Sequence, residues 1–584
     1  MSNVLELLRS RAVAAIEKAF GEEAGGADLG AVGAASVTPA TDPRFGHYQC
    51  NAAMGLAKRL RERPRDVAAK IVAALEVADL CLPPEIAGPG FINLTLRPEA
   101  IAAQLRARLG DERLGIERDS PARRVVIDFS SPNIAKELHV GHLRSTINGD
   151  CVARLHEFLG HTVLRRNHVG DWGTQFGMLI AHLKDRCPEA LREGSQVDLG
   201  DIVEFYREAK RRFDAGEEFK ARSRGEVVRL QSGDAEALRG WRVLCEQSRR
   251  QFDEIYRLLD IRIEEKGESF YNPFIPGTLA ELKRLGLIVE SGGALCVYPE
   301  GFKNKDGEPL PLIVQKSDGG FNYDTTDMTA IRYRVREERA DKIIYVTDAG
   351  QAQHFAMIFA AARAAGWLEG VETVHVPFGM VLGEGKKKLK TRAGDTVRLR
   401  DLLDEAAARA RAIVDEKNPE LSEERRAQVA HAVGIGAVKY ADLSQNRISD
   451  YVFSFDKMLA LQGNTAPYLI YAYVRVQSIA RKGSVDFSRL DPSAMQTMET
   501  PEENDLAIAL LRLPEVLDAA EHELAPNRLT DYLFDLSQTF SRFYTNNKVL
   551  GDARQTTRLA LCDLTARTLK LGLSLLGIGV IEEM

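Results

Sequence analysis

The sequence is poor in the features that mark several classes of protein. Its seven cysteines, Cys50, Cys81, Cys151, Cys187, Cys245, Cys296 and Cys562, never form a Cys-x-x-Cys pair. That argues against a disulfide framework, leads us to expect no protein-bound zinc, and fits a reducing cytoplasm. The longest apolar stretch near the end, Leu571 to Ile581, is broken by glycine and serine. It falls well short of the ~20 residues a bilayer demands, so it reads as a core helix and no membrane partner is expected. Positive charge is not in excess either, with 78 Lys and Arg against 84 Asp and Glu and a net charge of -6. Any nucleic-acid surface must then be a local patch. A Walker A loop is missing, because the only Gly-Lys pair is Gly385-Lys386 and the motif's first glycine would fall at Met380. The N-terminus carries Glu6 and Glu17 among its basic residues, which is not the organisation of a signal peptide.

What is present is ordinary globular composition, 45% hydrophobic and 28% charged over 584 residues, a length that suggests roughly four domains. Residues 1–115 read as a small α+β module. Leu5, Leu8, Ala12, Ile16 and Phe20 lie near helical spacing, and Ile92, Leu94 and Leu96 alternate with Asn93 and Thr95 as in a half-buried strand. Residues 116–400 contain two sets of strand and helix patterns. RRVVIDF, a helical run from His139 and HTVLRRNHVGD form one; KIIYVTD, AQHFAMIFAAARAAG and ETVHVPF form the other. A charged, mainly helical insertion over about 185–265 separates them. This alternation predicts a Rossmann-type parallel sheet buried under helices, with its ligand at the carboxyl ends of the strands. Residues 401–584 show only three- and four-residue apolar spacing and predict a helical bundle. The expected fold class is therefore multidomain α/β plus all-α.

Two loops at strand ends carry the chemistry. In Ser131-Pro132-Asn133-Ile134-Ala135-Lys136-Glu137-Leu138-His139-Val140-Gly141-His142, the two histidines share one face of a helix start. Gly141 between them has no side chain to block a flat base. The N-terminal N–H groups and dipole favour phosphate, so this is a place to hold ATP. Two histidines in a first turn can also cap or pack, but the strand immediately before them favours a ligand. The second loop, 383–394, carries Lys386, Lys387, Lys388 and Lys390 among glycines, as a cationic clamp on a triphosphate needs.

Together these segments resemble the class I aminoacyl-tRNA synthetases, and within them the arginyl-tRNA synthetase family, over nearly the whole chain. SPNIAKELHVGHLRSTINGD is similar to the family's HIGH signature in its arginyl form, and HVGDWGTQFGML and GNTAPYLIYAYVRVQSI resemble later family segments. The KMSKS loop of the class stands here as Lys387-Lys388-Leu389-Lys390-Thr391, with leucine in place of the first serine. The resemblance implies that Lys136 supplies charge missing from that loop, and which lysine contributes most stays open. It further implies attachment of L-arginine to tRNA(Arg) through an arginyl-adenylate, with ATP as substrate accompanied by Mg2+, and no adenylate until tRNA binds. Catalytic roles then fall to His139, His142, Lys136, Lys387 and Lys390, with Gly141 in the ATP site. Arginine contacts fall to Ser131, Asn133, His142, Tyr323, Asp327 and Gln351, with Glu268 as a second carboxylate. A planar guanidinium with five donors suits carboxylates beside an aromatic wall. Candidate tRNA contacts are Phe45, Tyr48, Gln49 and Asn51 in the N-terminal module, and Tyr544 and Met584 in the tail; packing explains the aromatics equally well. A cytoplasmic monomer is expected. A small-molecule nucleotidylyltransferase shares the HxGH loop but leaves both terminal regions unexplained, and a silent RNA-binding paralogue does not account for an intact His139, His142, Asp327 and lysine loop.

Overall fold

A computed structural model describes residues 3–21, 33, 36–192, 197–383 and 397–583. The chain divides into two compact units, one of Asp119–Ala460 with Leu575–Ile578, the other of Met1–Arg118, Leu461–Ser574 and Gly579–Met584. The first is built on a parallel sheet. In chain order its principal elements are β1 (Arg124–Asp128), α1 (Val140–Phe158), β2 (Thr162–Asn167), α2 (Ala235–Leu258), β3 (Glu264–Glu265), α3 (Tyr323–Arg336), β4 (Lys342–Asp348), α4 (Ala352–Ala364), β5 (Glu372–Phe378), α5 (Leu399–Lys417) and α6 (Glu423–Leu443).

The strand order is β5-β4-β1-β2-β3, and every pairing is parallel. The chain winds outward from β1 on one side, then returns to β4 on the other, so the carboxyl ends of β1 and β4 flank the topological switch point where such sheets bind ligands. Val125, Val126 and Ile127 in β1 and Ile343, Ile344 and Val346 in β4 are fully buried, as expected of strands covered on both faces. Helix Gln175–Arg186 precedes the insertion, which adds helices Ile202–Ala215 and Glu217–Gln231 before α2. A small antiparallel sheet of Val289–Ser291, Ala294–Val297 and Leu312–Gln315 had no counterpart in the sequence reading.

The sheet unit extends past the expected boundary at 400, to Ala460. The physical reason is a buried ion pair. Arg144 on α1 and Asp442 on α6 meet at 3.0 Å with both side chains fully inaccessible to solvent, and Asn148 Nδ2 donates to the same carboxylate at 3.1 Å. Arg144 Nη1 also donates to the carbonyls of Gly379, at 2.8 Å, and Ser449, at 3.1 Å. An unpaired charge here would cost several kcal/mol, so α6 is held to the sheet unit and not to the C-terminal bundle.

In the second unit the N-terminal module and the C-terminal helices pack as one body. Its antiparallel sheet runs Val37–Pro39, Tyr48–Cys50, Phe91–Leu94, Glu85–Ala87. Asn93, read as the solvent side of a half-buried strand, is itself buried; its Oδ1 accepts a hydrogen bond from Gln49 Nε2 at 2.9 Å. Arg108, also buried, donates to the carbonyls of Leu510 at 2.7 Å and Leu511 at 2.9 Å. Both carbonyls lie at the end of a helix, where backbone acceptors lack intrahelical donors.

Candidate active site

The loop from β1 to α1 is held in an unusual backbone shape. Ser130, Ser131 and Ala135 have φ of 67°, 48° and 59°, the left-handed region that costs a non-glycine residue of order 1–3 kcal/mol. Hydrogen bonds hold it there. Ser131 N–H donates to Asn167 Oδ1 at 2.9 Å, and Ala135 N–H to Ser248 Oγ at 3.0 Å. Ser131 Oγ donates to Asp128 Oδ1 at 2.9 Å and accepts from His168 N–H at 3.0 Å. The hydroxyl of this candidate arginine contact is therefore engaged in shaping the loop. Asn133 is exposed, and its backbone runs against Gly170, where a Cβ would fall 2.1 Å from Asn133 Oδ1. Lys136 is exposed.

His139 and His142 do cap α1. Gly141 N–H donates to His139 Nδ1 and His139 N–H to His142 Nδ1, each at 3.1 Å, and the rings lie 4.0 Å apart. Capping and ligand binding are not exclusive, because each ring has a second nitrogen. An accepting Nδ1 carries no proton, so the neutral rings carry theirs on Nε2. Burial, with Lys136 nearby, lowers the pKa of His139; burial, then His139 and Lys136, push His142 down to about 3. Both are thus neutral donors at physiological pH, at the positive end of a helix. Gly141 is also required by the cap, since a Cβ would lie 2.9 Å from His139 Cε1.

A second cluster collects carboxylates. Asp128, at the end of β1, is paired with the fully buried Arg334 at 2.5 Å, so its charge is matched within the protein. Asp327, on the first turns of α3, is not matched in that way. Its Oδ2 lies 2.7 Å from His354 Nε2 and its Oδ1 3.9 Å from His168 Nε2. Burial pushes this carboxyl up, but the His354 hydrogen bond and the charges of His168, His354 and Arg334 outweigh it and hold the group ionised below its ordinary value. Glu268 behaves oppositely. Burial, then Asp327 and Asp171, push its pKa up to about 8, opposed only by a backbone hydrogen bond from Trp172. Tyr323 is 58% exposed and packs edge-on to His354 at 5.0 Å. Gln351, exposed, precedes α4 at the end of β4.

Both clusters stand at the carboxyl edge of one parallel sheet, the first after β1 and the second around the helices that flank β4. The first offers neutral Nε2–H donors at a helix start and the second an ionised carboxylate. A family model described as "tRNA synthetases class I (R), catalytic domain" matches residues 104–455, "DALR anticodon binding domain" matches 469–584 and "Arginyl tRNA synthetase N terminal domain" matches 7–96. An Arginine--tRNA ligase of Synechococcus sp. is 59% identical over 592 residues and one of Nostoc sp. 55% identical over 594, each covering 100% of both chains. The chain belongs to the arginyl-tRNA synthetase family. Among solved structures, the arginyl-tRNA synthetase of Plasmodium falciparum superposes with a TM-score of 0.88 at 34% identity, over 100% of both chains. That of Thermus thermophilus gives 0.79 at 26% identity, over 99% of this chain and 100% of its own.

Lys387 and Lys390 lie outside the described residues, as does Met584. The segment before that loop is tied to α1 through the Arg144 bond to Gly379. The segment after it is tied to the residues just before α1, since Leu399 N–H donates to the Leu138 carbonyl at 2.8 Å and Arg398 pairs with Glu137 at 2.6 Å.

Of the candidate tRNA contacts, Tyr48 needs correction. It is 1% exposed and its hydroxyl donates to Glu515 at 2.5 Å, so it presents no face to a base; it packs the N-terminal module against the helices. Asn51 precedes helix Ala52–Leu60 with its Oδ1 buried and unpaired, and Gln49 is half-buried. Phe45 is exposed, with the Arg44 guanidinium 5.9 Å from its ring. Tyr544 is exposed and stacks on Phe540 at 6.1 Å, with Arg475 5.8 Å from its ring. The sequence reading passed over His168 and His354, although the quoted segments HVGDWG and AQHF contain them. The available signal was a histidine one helical turn after Gln351.

Proposed function

We propose that this synthetase forms arginyl-adenylate at the carboxyl edge of its sheet, with His139 and His142 on the phosphates and Asp327 and Glu268 on the guanidinium. The overall reaction is ATP-dependent attachment of L-arginine to tRNA(Arg). The substrate carboxylate attacks the α-phosphorus and pyrophosphate leaves; a hydroxyl of the terminal ribose then attacks the activated carbonyl and AMP leaves. Neither step needs a nucleophilic side chain. What the site supplies is alignment and stabilisation of charge on the phosphoryl oxygens. The observation that carries this reading is the orientation of the two histidines, whose Nδ1 atoms are engaged by the backbone, leaving Nε2–H as the donor each offers.

Mg2+ enters with ATP as part of the substrate, since it binds chiefly through phosphates and retains water. The chain acts as a cytoplasmic monomer in this reading. No helix among the described residues is long and apolar enough to cross a membrane.

The test is aminoacylation of bulk tRNA with each of the twenty amino acids, together with ATP–pyrophosphate exchange. Charging with arginine alone is the expected result, and exchange is expected only when tRNA is present. Charging with a different amino acid would overturn the substrate assignment.

Glu268 provides a further expectation. Below about pH 8 its carboxyl is protonated in the free site, and a neighbouring guanidinium favours the ionised form. Arginine binding at pH 7 should therefore release a proton, and affinity should rise as pH approaches 8. Calorimetry in two buffers of different ionisation heat reads the proton count directly. His354 can release a proton in the same direction, so Glu268→Gln is the control that must abolish most of the release.

A further inference from the structure

His354 is the residue through which the cation end of the site is organised. Each of its ring nitrogens faces a carboxylate, Nε2 on Asp327 Oδ2 at 2.7 Å and Nδ1 on Asp324 Oδ1 at 3.3 Å. A carboxylate only accepts, so a ring placed between two of them must donate from both nitrogens. Asp324 and Asp327 are three residues apart on α3, on one face of its first turns. Asp324 is anchored in turn, because Asn322 Nδ2 donates to its Oδ2 at 3.2 Å while Asn322 Oδ1 caps α3 by accepting from Thr325 N–H. Phe355 and Tyr323 each pack edge-on to the imidazole, at 5.1 Å and 5.0 Å. The support runs Asn322, Asp324, His354, Asp327, and it ends on the carboxylate assigned to the substrate.

We propose that His354 is a positioning residue for arginine recognition: it fixes the carboxylate plane of Asp327 by engaging Oδ2, so that Oδ1 is presented to the substrate guanidinium. This rests on the functional reading above. An unrestrained aspartate rotates about both side-chain torsions, and a planar guanidinium bonds well only to a carboxylate held in a matching plane. His354 touches no reacting atom in this scheme. Its effect passes through Asp327 and, by ring contact, through Tyr323.

The experiment is steady-state aminoacylation by the full-length enzyme carrying His354→Ala or His354→Gln, with arginine and ATP varied separately. His354→Ala is expected to raise the arginine KM roughly 10–100-fold, by analogy with the loss of a partner that orients a metal ligand, with the ATP KM unchanged. His354→Gln keeps a donor toward Asp327 and should recover most of that loss. An arginine KM within twofold of the parent in His354→Ala, a parallel rise in both KM values, or no recovery with glutamine would each overturn the proposal. Should His354→Ala lose its native circular dichroism, His354→Gln decides: an arginine KM below ten times the parent's supports the role, and a larger one overturns it. If the unsubstituted enzyme charges no arginine, the functional reading falls and this one with it; the other failures remove this one alone.

Discussion

His142→Ala is expected to slow arginyl-adenylate formation by roughly 10²–10³, the usual cost of removing one donor aimed at developing charge. The ATP KM should change far less, because the interaction strengthens only as charge moves onto the phosphate. The structure adds a complication, which a second variant resolves. His142 also accepts the His139 N–H through Nδ1, so alanine uncaps α1 as well as removing the Nε2 donor. The side-chain oxygen of His142→Asn can take over the acceptor while the amide falls short of the Nε2 position. If charge stabilisation is the role, the asparagine variant regains stability but not rate. If capping is the role, it regains both. Single-turnover formation of adenylate, with thermal unfolding measured on the same samples, separates the outcomes. Near-parent turnover in either variant would remove His142 from the chemistry.

How much of this is legible in the sequence depends on where the physical cause lies. KIIYVTD and ETVHVPF predict β4 and β5, and the structure has strands at those same residues; β4 is buried from Lys342 to Val346, as its Ile-Ile-Tyr-Val run requires of a covered strand, whereas β5, at the sheet edge, is only partly buried. The strands of the small antiparallel sheet were not marked. Val289–Ser291 is exposed along its length, so hydrophobic alternation has nothing to act on there, whereas Leu312–Gln315 alternates buried and half-buried over only four residues, too short a run to stand out. The end of the sheet unit was misplaced for another reason. Helices α5 and α6 have the same amphipathic spacing as the bundle that follows, and what assigns them is the Arg144–Asp442 pair, 298 residues apart in sequence. No local pattern carries a contact of that range. Tyr48 shows the same limit on a single residue, since an aromatic type cannot reveal whether its ring faces a base or Glu515.

The site was readable in its motifs and opaque in its couplings. HVGH marked the two histidines, but only the hydrogen bonds show that they are both cap and donor. Asp327 was marked by its place in the family segment. That it shares a proton-bearing ring with Asp324 emerges only once α4 is packed beside α3.

That coupling shapes the last expectation. Asp327→Asn keeps the shape of the side chain but removes its charge, so the substrate guanidinium loses its ionic partner at a cost of roughly 2–5 kcal/mol, as for a buried hydrogen-bonded charge pair. At about 1.4 kcal/mol per decade this is roughly a 30- to 4,000-fold rise in arginine KM. The ATP KM should hold. His354 responds too: burial lowers its pKa, yet Asp324 and Asp327 hold it at about 9, and without the second carboxylate that value should fall. Relief of repulsion then offsets part of the lost affinity, because a neutral imidazole disfavours the guanidinium less than an imidazolium does. The two substitutions should therefore be non-additive. In a cycle of Asp327→Asn, His354→Ala and the double variant, His354→Ala should cost much less in the Asp327→Asn background than in the parent, since a carboxylate that is no longer present cannot be positioned. Equal costs in both backgrounds would mean that His354 acts on arginine by some route other than Asp327. An arginine KM that Asp327→Asn leaves unchanged would move the recognition carboxylate to Glu268.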